Sequence, residues 1–208
     1  MKKWTRVMYQ PNRPLKEGCY VTASKEHIAL SREAAAEGMV LLKNEHKLLP
    51  LKAGSRIALF GKGSFDYVKG GGGSGDVTVS YVHNLYDGFQ MLHDAVSLYE
   101  PLCDFYRANV NEQYDQGSVP GMTTEPALSA GLLAGASAYT DTAVIVLSRF
   151  SGEGWDRSSI EYNGEYNPWE TETSMPKISG EIFPDGDFYL TKEESAMIAQ
   201  VKQHFSRI

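Results

Sequence analysis

The apolar run at residues 143–147 (AVIVL) constrains the fold more than any other stretch, because the polar loop SRFSGEGWDR follows it at once at residues 148–157. Five consecutive aliphatic residues, three of them β-branched, are typical of a strand buried on both faces of a parallel sheet. In open α/β sheets, binding and catalytic groups usually lie beyond the carboxyl ends of the strands. The sequence therefore predicts an α/β fold with a candidate site in this loop.

The loop offers groups suited to acid–base chemistry. Glu153 stands between two glycines, which let the backbone bend sharply and present the carboxyl group. Trp155 could form a sugar-stacking wall and raise the pKa of a neighbouring carboxyl group by desolvation. Asp156 and Arg157 could pair and hold the loop in place. A surface turn rich in Gly and Ser is the alternative interpretation of the same residues.

Capping residues and periodicity predict alternating helices and strands around this loop. Helices are expected from Ser24 to about residue 43, from Asn84 to about residue 95, over 101–114, over 125–137 and after Thr191. Thr191 and Glu194 have the spacing of a capping box. Residues 56–60 (RIALF) are predicted to form a second buried strand. This alternation predicts a three-layer α/β sandwich with a mainly parallel sheet. Because only two strands are evident in the sequence, the sheet is expected to be incomplete at the C-terminus, with an unpaired edge.

Composition excludes several classes of function. The formal net charge of −6 and the lack of a Lys/Arg-rich run argue against a nucleic-acid surface. The two cysteines form no CxxC pattern, and the five histidines are scattered without an HExxH motif, so we expect no metal and no cofactor. No apolar segment follows the basic N-terminal residues as in a signal peptide, and no run reaches the ~20 apolar residues of a membrane span. A soluble, cytoplasmic protein is expected.

A glycine-dense segment at residues 61–77 admits two interpretations. Gly70, Gly72 and Gly75 fit the spacing GxGxxG, but no strand directly precedes them and no P-loop motif is present. A nucleotide site would therefore rest on glycine density alone. We favour a loop whose backbone packs closely on another domain or on a ligand.

Five motifs, in consistent order, resemble a known family. They are AAAEGMVLLKNE with the following LPL (34–51), RIALFG (56–61), KGGGGSGDV (69–77), VIVLSRFSGEGWDR (144–157) and GDFYLTKEE (186–194). From about Ser24 onward the chain resembles the α/β sandwich domain of glycoside hydrolase family 3, in its β-glucosidase branch. The resemblance implies a leader at 1–23, a truncated sandwich domain at 24–208 and an acidic, aromatic active-site loop at 149–187. The leader is similar to that of bacterial members with swapped domain order, in which the sandwich precedes the barrel.

The resemblance also implies roles for individual residues. A TIM-like barrel, absent from these 208 residues, would donate an aspartate nucleophile, and Glu153 would be the general acid/base. Asp156 and Arg157 would orient the loop, and Trp155 would orient it or bind substrate. The family's glycine-rich segment near the domain interface matches Gly70, Gly72, Gly73, Ser74, Gly75 and Asp76.

The implied function is part of a retaining β-glycosidase that hydrolyses terminal β-D-glucosyl or related residues. Its partners would be a β-linked glucoside or oligosaccharide substrate and the barrel, in cis or in trans, with no nucleic acid and no membrane. The isolated chain is expected to be inactive, because a general acid/base without the nucleophile cannot form the covalent intermediate. The alternative is a non-catalytic carbohydrate-binding or interaction module with the same fold.

Overall fold

A computed structural model of the chain describes residues 15–17, 19–20, 24–70, 73, 79, 81–157 and 174–208. The chain divides into two compact units, Met1–Leu49 and Pro50–Ile208. The predicted boundary after residue 23 stays a prediction.

The described part of the first unit forms a short hairpin and one α-helix. Strand β1 (Leu15–Lys16) pairs antiparallel with β2 (Cys19–Tyr20). Helix α1 (Lys25–Glu37) begins as predicted, because the hydroxyl of Ser24 accepts a hydrogen bond from the backbone N–H of His27. It ends at Glu37 rather than near residue 43, with Gly38 at its C-cap, since glycine is a poor helix former. None of its 13 residues is buried.

The second unit is built on a parallel three-stranded sheet. The central strand β3 (Ser55–Phe60) lies between β4 (Val96–Leu98) and β5 (Ala143–Ile145). Both neighbours run parallel to β3, with Ile57 opposite Leu98 and Phe60 opposite Ile145. The predicted fold class is confirmed, as are both predicted strands, and β4 is an additional strand that the sequence analysis missed.

Among the described residues of this unit, five α-helices accompany the sheet: α2 (Leu85–Gln90), α3 (Glu100–Asp115), α4 (Ala130–Tyr139), α5 (Ser174–Ile182) and α6 (Lys192–His204). Asn84 caps α2, and Thr191 and Glu194 form the predicted capping box of α6. Helix α2 is shorter than predicted because a turn and then β4 follow it, and α4 begins later than predicted, after its N-cap Ser129. No described helix is both long and apolar enough to cross a membrane.

Strand β3 separates two hydrophobic cores. Ala58 and Phe60 belong to the first, with side chains of α3, α4 and α6, while Ile57 and Leu59 belong to the second, with β4 and Cys103. All four strand residues are fully buried. This is the alternation expected of a strand covered on both faces.

Burial at β5 is less complete than predicted. Ala143 is buried, but Val144 and Ile145 are half-buried, and Leu147 is 44% exposed. The physical reason is position, because β5 lies at one side of the sheet, and within the described residues its outer flank is bridged only at Thr142, which pairs with Arg207. The backbone N–H of Ala143 donates to the carbonyl of Arg207 at 2.8 Å.

Candidate functional site

Two glycines let the chain leave β5 close against the end of β3. Gly61 has φ of +97°, and a Cβ atom at this residue would lie 3.0 Å from the carbonyl carbon of Val146. A Cβ atom at Gly63 would lie 3.1 Å from the side chain of Ser148. The backbone N–H of Val146 still bonds the carbonyl of Phe60, at 2.9 Å. The candidate loop therefore begins directly beyond the carboxyl edge of the sheet, as predicted.

Glu153 lies in a tight turn closed by an antiparallel bridge between Gly152 and Trp155. Gly154 has φ of +88°, in the left-handed region that favours glycine. Glu153 itself is exposed. The turn thus presents a carboxyl group at the surface of the domain, where a group from outside the domain can reach it.

The glycine-dense segment meets this turn. Gly73 has φ of +70°, and a Cβ atom there would lie 2.6 Å from Cβ and 3.0 Å from Cδ of Glu153. Only glycine allows so close an approach of backbone to the Glu153 side chain. Gly70 is half-buried, while Gly72, Ser74, Gly75 and Asp76 lie outside the described residues. The structure therefore brings together two of the predicted site residues, Gly73 of the glycine segment and Glu153.

Trp155 forms the packed underside of the loop. Its side chain is 4% exposed and meets the ring of Phe150 edge to face, with centroids 5.5 Å apart. The guanidinium carbon of Arg157 lies 5.2 Å from the centre of the Trp155 ring. Of the two roles implied for Trp155, this geometry favours loop orientation over a sugar-stacking wall, because the ring is covered by protein.

Arg157 holds the end of the loop, but its partner is not the adjacent Asp156 that the sequence suggested. Its Nη1 donates to the hydroxyl of Ser179 at 2.8 Å and to the carboxylate of Asp187 at 3.1 Å, and its Nε donates to the carbonyl of Phe150. Burial lowers the pKa of Arg157, and Asp187 opposes that shift. The ion pair of Arg157 is thus with Asp187 and not with the adjacent Asp156, as the sequence suggested, and the Asp156 side chain is exposed.

Arg149 holds the start of the loop and was not singled out from the sequence. Its Nη1 and Nη2 bond both carboxylate oxygens of Glu194, at 2.8 and 2.7 Å. Three more donations reach the backbone carbonyls of Ser148, Asp187 and Tyr189. All five N–H groups of the guanidinium are therefore used. The capping-box pattern identified Glu194, but no local pattern could connect it to a residue 45 positions away.

A buried cluster of charged groups supports the loop from below. The carboxylate of Asp66 accepts bonds from Nζ of Lys62 at 3.0 Å, the hydroxyl of Tyr114 at 2.5 Å and the backbone N–H of Gly121 at 2.5 Å. Thr123 adds its N–H at 3.0 Å and its hydroxyl at 2.6 Å. Gly121, with φ of +83°, is packed against Phe150, and a Cβ atom there would lie 2.7 Å from the Phe150 ring. Asp66 therefore fixes the backbone on which the loop rests.

Glu125 belongs to the same cluster. Its carboxylate accepts the backbone N–H of Lys62 at 2.8 Å and the hydroxyl of Tyr106 at 2.7 Å. Burial raises the pKa of Glu125, although these two bonds oppose the shift. Burial also lowers the pKa of the Lys62 ammonium, which Asp66 opposes. Sequence reasoning missed this cluster because its members come from separate segments of the chain.

Metal binding finds no support in the part of the chain that the structure describes. There, no group of three or more His, Cys, Asp or Glu side chains lies close enough to hold an ion.

Comparison with known proteins gives consistent relatives. The model of the glycosyl hydrolase family 3 C-terminal domain matches residues 39–208. Over its whole length the chain is 52% identical to Beta-glucosidase A of Butyrivibrio fibrisolvens, of which it covers 25%. It is 29% identical to a Beta-glucosidase of Ruminococcus albus over 88% of the chain, covering 17% of that protein.

Solved structures agree. Beta-glucosidase 3B from Thermotoga neapolitana in complex with glucose matches 90% of the chain with a TM-score of 0.70 and 30% identity, over 23% of its own length. A beta-glucosidase from Paenibacillus barengoltzii matches 88% of the chain with a TM-score of 0.66 and 28% identity, over 18% of its length. The chain thus spans a quarter or less of each of these relatives.

Proposed function

Because the chain belongs to glycosyl hydrolase family 3, through the C-terminal domain of that family, we propose that it is the acid/base-donating domain of a retaining β-glycosidase. Its relatives are β-glucosidases, so the proposed substrate is a terminal β-D-glucosyl or closely related residue. The aspartate nucleophile would come from a TIM-like barrel outside these residues, in the same chain or another.

One observation carries this proposal: the exposed carboxyl group of Glu153 stands on a turn held at both ends by half-buried arginines and touched by the backbone of Gly73. Such a turn can present an acid to a sugar bound outside the domain while keeping its position fixed. Glu153 would first protonate the departing glycosidic oxygen. It would then take a proton from the water that releases the sugar from the nucleophile.

The test is a hybrid enzyme in which this chain replaces the matching segment of the Butyrivibrio fibrisolvens β-glucosidase A. Glu153→Gln should lower hydrolysis of glucosides with poor leaving groups by about 10²–10⁴-fold, the usual contribution of a general acid. Activated aryl glucosides need no acid to depart, so their first step should persist, and azide should speed release of the sugar. Glu112→Gln, on an exposed part of α3, is the matched control.

Near-normal activity of Glu153→Gln on poor leaving groups would contradict the assignment of the acid/base. A folded hybrid that binds glucosides without hydrolysing them would instead favour the carbohydrate-binding module. The isolated chain is expected to show no turnover in either case.

A further inference from the structure

The two arginines that flank Glu153 converge on one residue. Arg149 stands four positions before Glu153 and Arg157 four positions after it. Nε of Arg149 donates to the backbone carbonyl of Asp187 at 2.8 Å, and Nη1 of Arg157 donates to the Asp187 carboxylate at 3.1 Å. Both ends of the turn are therefore tied to Asp187, by its main chain on one side and its side chain on the other.

Asp187 is itself held firmly. The hydroxyl of Ser179, on α5, donates to the same carboxylate oxygen at 2.5 Å, and the Asp187 side chain is 7% exposed. The preceding Gly186 has φ of +106°, and its N–H bonds the carbonyl of Phe183 at 2.9 Å. Asp187 thus lies in a tight turn between α5 and α6, with little freedom to follow a movement of the Glu153 turn.

The ring of Phe183 contacts both arginines as well, and Asp187 with its contacts to Arg149 and Arg157 is called the anchor of the turn. The guanidinium carbon of Arg149 lies 4.1 Å from its centre and that of Arg157 lies 5.3 Å from it. The two guanidinium groups carry like charges and repel each other across this ring. The Asp187 carboxylate reduces this repulsion, because it forms an ion pair with Arg157. Charge-assisted bonds of this kind are short and directional.

We propose that Asp187 is a positioning residue, which fixes the two ends of the turn relative to each other and thereby the place of the Glu153 carboxyl group. It acts through Arg149 and Arg157 and does not touch the substrate. The role rests on the proposed function of Glu153. A displacement of about 1 Å in a catalytic group can cost roughly 100-fold in rate. Loss of Asp187 should therefore lower the rate of hydrolysis although Glu153 itself is unchanged.

The first measurement is hydrogen–deuterium exchange on the 208-residue chain, which needs no catalytic activity. Asp187→Asn should speed exchange of the amides at 150–157 by at least about tenfold, while the amides of β3 stay protected. Asp185→Asn removes the same charge from an exposed position two residues away and should leave both segments unchanged. Unchanged exchange at 150–157 in Asp187→Asn would overturn the proposal.

The second measurement is kinetic, in the hybrid enzyme. Asp187→Asn should lower kcat/KM for an alkyl β-glucoside by about 10–100-fold and for 2,4-dinitrophenyl β-glucoside by less than about threefold, because only the first needs a well-placed acid. A structural role alone would lower both equally, and that result, or no loss at all, would overturn the proposal.

Ser179→Ala provides a milder variant if Asp187→Asn fails to fold. It removes one donor to the Asp187 carboxylate and one acceptor of Arg157, but the bonds from Arg149 and Arg157 to Asp187 stay. The same selective loss should therefore appear in smaller size, and an equal or absent loss counts against the role of Asp187. If Glu153→Gln shows the selective loss and these variants do not, the anchor is wrong and the function of Glu153 stands. If Glu153→Gln shows none, the proposed function itself fails.

Discussion

Asp66→Asn should destabilise the second unit by about 3–5 kcal/mol, the usual cost of removing one partner from a buried ion pair. Asp66 has no exposed surface, and the Lys62 side chain is 5% exposed, so the ammonium would stay buried without its counter-charge. The NH₂ group of asparagine would replace one carboxylate oxygen, so it would face either the N–H of Gly121, which bonds Oδ1, or the N–H of Thr123, which bonds Oδ2. Each buried donor left unpaired costs about 1–3 kcal/mol, which places the loss in the upper part of the range.

The assay is urea unfolding of the 208-residue chain at neutral pH, followed by tryptophan fluorescence and circular dichroism. Asp104→Asn is the control, because Asp104 also pairs with a cation, Arg107, at 2.8 Å, but its side chain is 70% exposed. Exposed pairs contribute about 0–1 kcal/mol, so the control should unfold nearly as wild type does. A loss below about 1 kcal/mol for Asp66→Asn would refute the reasoning, since the cost of desolvating the pair would then cancel its attraction.

The pH dependence of the stability of the same variant tests the direction of the pKa shift of Asp66. Burial by itself would raise the pKa of Asp66, but the Lys62 ammonium and the bonds from Thr123 and Tyr114 lower that pKa below its ordinary value. In acid, the unfolded chain therefore binds more protons than the folded chain does. The stabilisation is complete above the unfolded pKa of about 3.9 and is lost as the pH falls through the lower folded value. Acid unfolding should be less steep in Asp66→Asn than in the wild-type chain.

Three further predictions test the geometry elsewhere, the first with a control substitution. Gly73→Ala should lower kcat/KM of the hybrid enzyme for glucosides with poor leaving groups, because the added methyl group would overlap Glu153. Gly54→Ala is the control: Gly54 has φ of +80° and nothing within 4 Å, so this change should cost only the backbone strain of about 1–2 kcal/mol. Equal kcat/KM values in the two variants would speak against the contact between Gly73 and Glu153. Thr191→Ala should lower stability by about 1 kcal/mol in thermal unfolding by removing the cap of α6, and an unchanged Tm would show that the cap is dispensable. Phe205→Ala should cost about 3–5 kcal/mol in urea, since its ring is 5% exposed and meets Phe60 edge to face at 5.3 Å; a loss near zero would exclude this packing.

The sequence located the starts of helices better than their ends. Ser24, Asn84 and Thr191 cap their helices through side-chain bonds within three residues, so a local pattern suffices to identify them. The end of α2 depends on where β4 joins the sheet, which is a tertiary contact. Strand β4 has only three residues, too few to show a period of two.

The same distinction applies to the candidate site. The bend at Glu153 was predictable, because the adjacent Gly154 supplies the positive φ that the turn requires. The partner of Arg157 was not, because Asp187 lies 30 residues further along and Asp156 stood next to it in the sequence. The support from Asp66 comes through a residue 55 positions away, Gly121, and no spacing rule connects them.

The arrangement of β3 between two parallel partners has a consequence for the order in which the domain folds during synthesis. Parallel strands cannot be joined by a tight turn, so β3 can pair with β4 only after α2 has been made, and with β5 only after α3 and α4 have followed. Domains are made from the N-terminus, at about 5–20 residues per second, so the β3–β4 pair can exist for seconds before Ala143 reaches Ala58. We therefore expect the nascent chain to expose the β5 side of β3 during that interval. The Glu153 turn, which depends on β5 and on the still later Asp187 and Glu194, would be among the last parts of the domain to become ordered.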